Sequence, residues 1–369
     1  MTDSDAQTVF PGDYVSSEDL VGRDEFIRHL AERLRSGRNV VLMAPRRTGK
    51  TSIARDVLRR LAASHVLTAY IDFLATTDKR DFAERVAEQL HEQTVRRNLR
   101  TLTEHLPDIK PHVRFALIEF GVDISAKEQD ENKVFAGSLE LPQRAAEKKK
   151  TRAVICLDEF QEAGTTFGAN VYKLMRGVFQ QQANTTHLFM GSQHSMLRGV
   201  FSTSNAPFLR YADELQLPPI SAQDWAEYIA AKFAEAKIGC SRVFAGRIAQ
   251  RAGCHPGDVM VLCTNLYFLA KVNRAKALDE DLLDAAIAET KTQLKTYFDA
   301  VWSELTDRAK ERLVALRIAR GEPATRGGIA PQVAADAVRA LINKGIVVRT
   351  GRGAYEYFEP LFKEYVLAL

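Results

Sequence analysis

Apolar positions along the chain change their spacing several times, and those changes mark out its elements. Phe26, Ile27, Leu30 and Leu34 recur at helical spacing behind Asp24, and Gly37 ends the run. Val40 to Met43 is a continuous apolar stretch, too short for a helix, and reads as a buried strand. A polar loop follows, and then Ile53, Val57, Leu58 and Leu61 form the inner face of a second helix. The strand pattern returns in VLTAYIDF (66–73), AVICL (153–157) and HLFMGS (187–192), and a last short strand falls within 207–220. Helical periodicity fills KRDFAERVAEQLHEQTV, the stretch from 138 to the basic turn at KKK, and about 169–182. Strands alternating with helices predict an α/β fold, a parallel sheet with crossover helices. Residues 111–126 alternate less cleanly and predict an inserted β-hairpin.

From Ser221, paired with Asp224 in the manner of a capping box, the pattern stays helical to about 296. Beyond it come two helices and a hairpin with its tip at Thr350-Gly351-Arg352-Gly353, the layout of a winged helix-turn-helix. Four segments result: an arm without periodicity (1–19), expected to dock loosely; an α/β domain (20–220); a helical lid domain (221–296); and a winged helix domain (297–369).

A chain of 369 residues can bury several cores, and a net charge of +4 permits nucleic-acid contact without arguing for it. The KKK run reads as a solvated turn rather than a binding patch. Cys156, Cys240, Cys254 and Cys263 form no CxxC pair and read as small buried hydrophobes in a reducing compartment. The acidic, polar start is unlike a signal peptide, and no apolar run approaches membrane-spanning length, so the expectation is a cytoplasmic protein with no membrane partner.

Chemistry concentrates first in Ala44-Pro45-Arg46-Arg47-Thr48-Gly49-Lys50-Thr51, which fits GxxxxGK[ST] except that alanine takes the first glycine position. A strand before it and a helix after it are the context a phosphate loop requires. The backbone from Ala44 to Ser52 would curl around a polyphosphate and turn its N–H groups toward it, Lys50 would meet its β and γ oxygens, and Thr51 would hold Mg²⁺. Ala44 is tolerable there provided its φ is negative. Asp158 ends the AVICL strand, where a carboxylate would share the metal, and Glu159 is placed to polarise the attacking water. Ser192 and Gln193, after the strand ending at Gly191, either touch the γ-phosphate or simply form a turn. Arg210 reads equally as an arginine finger, in cis or in trans, and as a surface ion-pair partner.

LVGRDEF, APRRTGKTS, ICLDEFQEA, the strand ending in Gly-Ser, PFLR before LPPI, GCHPG and the terminal winged helix, in this order, resemble the archaeal-type ATPases. These are P-loop NTPases of the AAA+ and signalling-ATPase (STAND) group, found in bacteria as well as archaea. Phe160-Gln161-Glu162 after the two carboxylates is the most specific part of the likeness. The resemblance implies ATP rather than GTP as the nucleotide, in keeping with the lack of an NKxD-type motif. It places Val21, Gly22 and Arg23 near the adenine and His255-Pro256 where the helical domain closes over the nucleotide; from sequence alone His255 reads as a helix-start residue. Two departures stand out: Phe208-Leu209-Arg210 replaces the family's Tyr-Gly-Arg, and GCHPG has no sensor arginine beside it.

The resulting expectation is an Mg²⁺-dependent ATP hydrolase acting as a switch, with Lys50, Thr51, Asp158 and Glu159 in the roles given. Its winged helix would contact duplex DNA or a protein partner, and homo-oligomers are compatible with it. On the second helix of that unit Gln332, Asp336, Arg339 and Asn343 face outward, with Arg349 and Arg352 on the wing. One arginine against one aspartate leaves DNA and protein docking evenly matched. The alternative is a nucleotide-binding adaptor with negligible turnover; small-molecule phosphotransfer ranks last, for want of an acceptor-pocket signature.

Overall fold

A computed structural model describes residues 9–11, 17–94, 131–168, 170–192, 194–305, 309–325 and 328–369. The hairpin expected at 111–126 lies outside them. The chain divides into two compact units, Glu25–Pro45 with Ile53–Leu217, and Met1–Asp24 with Arg46–Ser52 and Pro218–Leu369.

The first unit is built on five strands: β1 (Val40–Met43), β2 (Leu67–Asp72), β3 (Ala153–Asp158), β4 (Thr185–Gly191) and β5 (Asp213–Gln216), in the order β2-β3-β4-β1-β5. Every pairing is parallel. Consecutive strands therefore cannot be joined by hairpins, and the connections run through helices: Lys50–Ala63 after β1, Lys79–Thr94 and Glu131–Lys149 after β2, Val171–Phe179 after β3 and His194–Phe201 after β4. Central strands are covered on both faces, which is why β1, β3 and β4 are buried at every position and read as unbroken apolar runs. At the edge, the Gln89 side chain acts as a missing neighbour for β2. Its Oε1 accepts from the Tyr70 amide at 2.7 Å and its Nε2 donates to the Tyr70 carbonyl at 2.6 Å, closing part of an edge that would otherwise invite pairing.

Phe160 organises the core of this unit. Its ring lies within 6 Å, centroid to centroid, of Phe73, Tyr172, Phe189, Phe201 and Phe208. The residue that follows the two carboxylates is thus the pin holding their strand end in place. Helix Glu131–Lys149 starts earlier than its periodicity from 138 suggests and carries Pro142 inside it.

The second unit holds two cores. One gathers Trp225, Ile229, Phe233, Ile248, Leu262 and Leu266 from the helices Ala222–Glu235, Arg242–Arg251 and Pro256–Val272. Ser221 caps the first of these, its Oγ accepting from the Asp224 amide at 3.0 Å and donating to Asp224 Oδ2 at 2.7 Å, as the capping pattern predicts. Phe10, from the segment expected to dock loosely, is fully buried beside Tyr228 and Phe233. The other core gathers Phe298, Val314, Leu341, Val347 and Phe362. Helix Glu280–Ser303 belongs to both and runs straight through the boundary expected at 296. Its Leu283 and Ile287 face one core and its Leu294 and Phe298 the other. After Ala309–Ala319 and Pro331–Asn343 come an antiparallel hairpin, β6 (Val347–Gly351) and β7 (Ala354–Tyr357), and a final helix Pro360–Leu367 that the hydrophobic pattern did not announce. No helix among the described residues is long and apolar enough to cross a membrane.

Candidate nucleotide site

Parallel strands present their carboxyl ends at one edge of a sheet, where ligands of such folds bind. In the first unit that edge collects Asp158, Glu159 and Ser192. Asp158 ends β3 and is almost fully buried; its Oδ1 accepts from the Glu159 amide at 2.9 Å and its Oδ2 accepts from the Tyr70 hydroxyl. Asp72 is its register partner on β2 and spends one oxygen on the Leu74 amide at 2.9 Å. Two acidic side chains opposite one another on neighbouring strands repel. A hard divalent cation with oxygen ligands suits such a pair, so the donor set fits Mg²⁺. The same two carboxylates, after burial itself, push the Cys156 thiol well above its usual range.

Glu159 departs from β3 in the left-handed conformation, φ 48° and ψ 45°, which turns its carboxylate toward β4. There Oε2 accepts from the Ser192 amide at 3.1 Å, the Ser192 hydroxyl at 3.0 Å and the Gln161 Nε2. Room for this arrangement exists because residue 191 is glycine: a Cβ there would stand 2.1 Å from Gln161 Oε1. Ser192 therefore meets the catalytic candidate Glu159. Gln161 and Tyr70 were not expected to touch the two carboxylates. Gln161 stood in the motif LDEFQE without a role, and Tyr70 was legible only as a strand residue.

The phosphate loop leaves β1 after Met43, the register partner of Gly191. Ala44 is absent from the residues with positive φ, so the missing glycine costs nothing here. The left-handed turns fall instead at Arg47, φ 61°, and Gly49, φ 87°. Lys50 begins the helix Lys50–Ala63 and is buried with Thr48 and Ser52, whereas Arg46 is exposed and Pro45 and Thr51 are half-buried. A turn of this kind at the start of a fourteen-residue helix aims backbone N–H groups and the positive end of the helix dipole at an anion.

Also in the second unit, Val21 is buried with Ile220 and Trp225, and Gly22, at φ 62°, lies against Asp224. The buried Arg23 guanidinium donates to the Pro218 carbonyl, and burial lowers its pKa to about 10. His255 is a helix-start residue: it caps Pro256–Val272, its Nδ1 accepting from the Asp258 amide at 3.3 Å, with Pro256 in the first turn.

Arg210 does not join the carboxylates. It precedes β5, whose first residue Asp213 pairs with Val40 at the amino edge of the sheet. With the strands parallel, the start of β5 is at the edge opposite the one carrying Asp158 and Glu159. Gln193 lies outside the described residues.

A five-stranded parallel sheet in this order, with a phosphate loop after β1 and an Asp-Glu pair ending β3, defines a P-loop nucleoside triphosphatase. Residues 19–189 match the model of the AAA ATPase domain. That stretch accordingly carries an AAA ATPase domain, and the motifs along the chain resemble those of the archaeal-type P-loop ATPases. Among solved structures, the Walker-type ATPase of Pyrococcus abyssi is similar over 98% of this chain and 100% of its own, with TM-score 0.69 and 17% identity. The ORC2 protein of Aeropyrum pernix, in ADPNP-ADP complexes, is similar over 98% and 96%, with TM-score 0.61 and 16% identity. Drosophila ORC bound to DNA is similar over 100% and 94%, with TM-score 0.51 and 13% identity. At these identities the likeness is one of fold. No curated protein matches the sequence.

Proposed function

We propose that this protein is an Mg²⁺-dependent ATP hydrolase whose nucleotide state is read out by its C-terminal unit. The observation that carries the reading is the pair Asp158 and Glu159 at the carboxyl edge, each held by named donors in a different orientation. Asp158 stays on its strand as a metal ligand with Thr51, and Lys50 meets the β and γ phosphates. Held by Asp158 and Thr51, Mg²⁺ would supply positive charge against the triphosphate. Glu159, turned aside onto Ser192 and Gln161, is the general base in a resting orientation. Hydrolysis requires Glu159 to exchange at least one of those hydrogen bonds for a water aligned on the γ-phosphate. A finger role for Arg210 would be in trans, within a homo-oligomer.

The C-terminal elements have the order of a winged helix, and their surface favours a protein over DNA as the partner. On helix Pro331–Asn343, Arg339 is paired with Asp336 at 3.3 Å, and Gln332 lies 3.3 Å from the same carboxylate. The Arg349 Nε donates to the Gly351 carbonyl at 3.0 Å. A face whose charges are spent on one another is a weak footprint for phosphates.

Steady-state phosphate release and ATP titration test the enzymatic reading. Lys50→Ala should abolish ATP binding. Glu159→Gln should bind ATP as the parent does and lose turnover by about 10²-fold or more, the scale of a general base. Undiminished hydrolysis by Glu159→Gln would remove Glu159 from the mechanism. Binding without measurable turnover in the parent protein would favour the adaptor.

A further inference from the structure

The motif Gly253-Cys254-His255-Pro256-Gly257 has so far supplied only a helix cap, yet each of its glycines and its histidine meets a different neighbour. Gly253 lies against Pro360, where a Cβ would stand 2.1 Å from the proline ring. The His255 ring packs edge-on against Phe358, with centroids 5.1 Å apart. Gly257 lies against the Arg47 side chain, with no room for a Cβ, and its amide donates to the Arg47 carbonyl at 3.0 Å. The motif thus touches the phosphate loop on one side and the start of the last helix on the other.

Arg47 completes the connection. Its Nη1 stands 3.0 Å from Asp258 Oδ1 and 3.1 Å from Glu359 Oε2, and its guanidinium lies 5.2 Å from the centre of the Tyr297 ring. The Tyr297 hydroxyl donates to Glu359 Oε1 at 2.8 Å. Asp258 is fully buried and, among the described residues, neither of its oxygens accepts a hydrogen bond, so the Arg47 charge at 3.0 Å is its main compensation. His255, Asp258 and Glu359 are close enough together to hold a metal ion, but the guanidinium already serves as their cation. A non-glycine residue at φ 61° is strained, and such strain persists only where the surroundings over-determine it. Two carboxylates, an aromatic face and a backbone hydrogen bond do so here.

We propose that Asp258 and Glu359 are positioning residues for the phosphate loop, clamping Arg47 so that the loop keeps the shape in which Gly49 and Lys50 receive a nucleotide, and tying that shape to the anchorage of the C-terminal helix Pro360–Leu367. The proposal rests on the reading that the loop binds ATP. It makes the loop and the C-terminal helix two ends of one linkage: an occupied loop tightens the clamp, and a broken clamp loosens both ends.

The test is a double-mutant cycle on the full chain with Arg47→Gln, Glu359→Gln and the double variant. ATP affinity and turnover are measured together with amide hydrogen exchange of the helix Pro360–Leu367, with and without ATP. Each single variant should weaken ATP binding about tenfold, with kcat changed less than about threefold in Glu359→Gln, and the double variant should be no weaker than the worse single one, the non-additivity of groups in one contact. Exchange in the last helix should be faster in both single variants, and ATP should slow it in the parent protein only. Tyr297→Phe, which removes one hydroxyl and leaves the charges, should show the same pattern in smaller degree and serves should Arg47→Gln fail to fold. Normal ATP binding by the parent, with single-variant effects that are absent or simply add, would overturn this inference alone. A parent protein that binds no ATP, like Lys50→Ala, would overturn the ATP reading and the inference with it.

Discussion

At the scale of single residues, burial sets the chemistry of several side chains. His187 is fully buried in β4, stacked on Phe179 with ring centroids 4.0 Å apart, and desolvation lowers its pKa from 6.5 to about 3. Its neutral form is thus favoured in the folded state. Above pH 6.5 neither state binds the proton; as pH falls from 6.5 toward 3 the unfolded chain gains it and the folded chain does not. Stability is therefore lost across that window, at up to about 1.4 kcal/mol per pH unit. His187→Leu should flatten this limb, losing about 2–3 kcal/mol less than the parent between pH 6.5 and 4.5 in denaturant unfolding. Equal pH dependence of the two proteins would contradict the assignment. That His187 lies in a strand was legible from its apolar neighbours; its burial required the crossover helices that cover both faces of β4.

The elements show how a short motif is held. Glu159, Phe160 and Gln161 occupy a turn after β3 whose geometry is set from outside: Phe160 by an aromatic cluster, Glu159 by the end of β4, Gln161 by the space above Gly191. Gly191→Ala should drive the new methyl group into Gln161 and Leu197. An overpacked site of this kind costs about 1–3 kcal/mol. A lowered melting temperature should accompany reduced ATP turnover, because the displaced turn would carry the Glu159 carboxylate away from its place at the end of β4. A variant as stable and as active as the parent would show that the turn relaxes freely. The carboxylates themselves were readable from AVICLDEF, since a strand of apolar residues ending in Asp-Glu announces where they emerge. The left-handed Glu159 and its turn onto Ser192 were not, because nothing local in the sequence requires φ 48°.

At the scale of the whole molecule, surface charge sets what the C-terminal unit can touch. With Arg339 paired to Asp336, the wing residues Arg349 and Arg352 are the candidates for phosphate contact. DNA binding through this surface should be weak, with log affinity falling against log salt at a slope of about −2, the value for two neutralised phosphates. Fluorescence anisotropy with a short duplex across a salt series measures it, and a slope near −6 would place DNA on another surface. The sheet, the phosphate loop, the helical run after Ser221 and the hairpin tip were all readable from spacing and capping. Helix Glu280–Ser303 joins two cores across the expected boundary at 296 because its helical periodicity continues while the partner of its apolar face changes.

Local pattern alone determined that the chain carries a nucleotide-binding α/β domain, since GxxxxGK[ST] after a strand and an acidic strand end each need only a few neighbouring residues. Tertiary structure decided which distant side chains complete them: Tyr70 on Asp158, Ser192 and Gln161 on Glu159, and Asp258 and Glu359 on Arg47. The physical reason is range. Strand and helix signals are written in residues a few positions apart, whereas a carboxylate's partners are selected by packing that joins positions as far apart as 47 and 359.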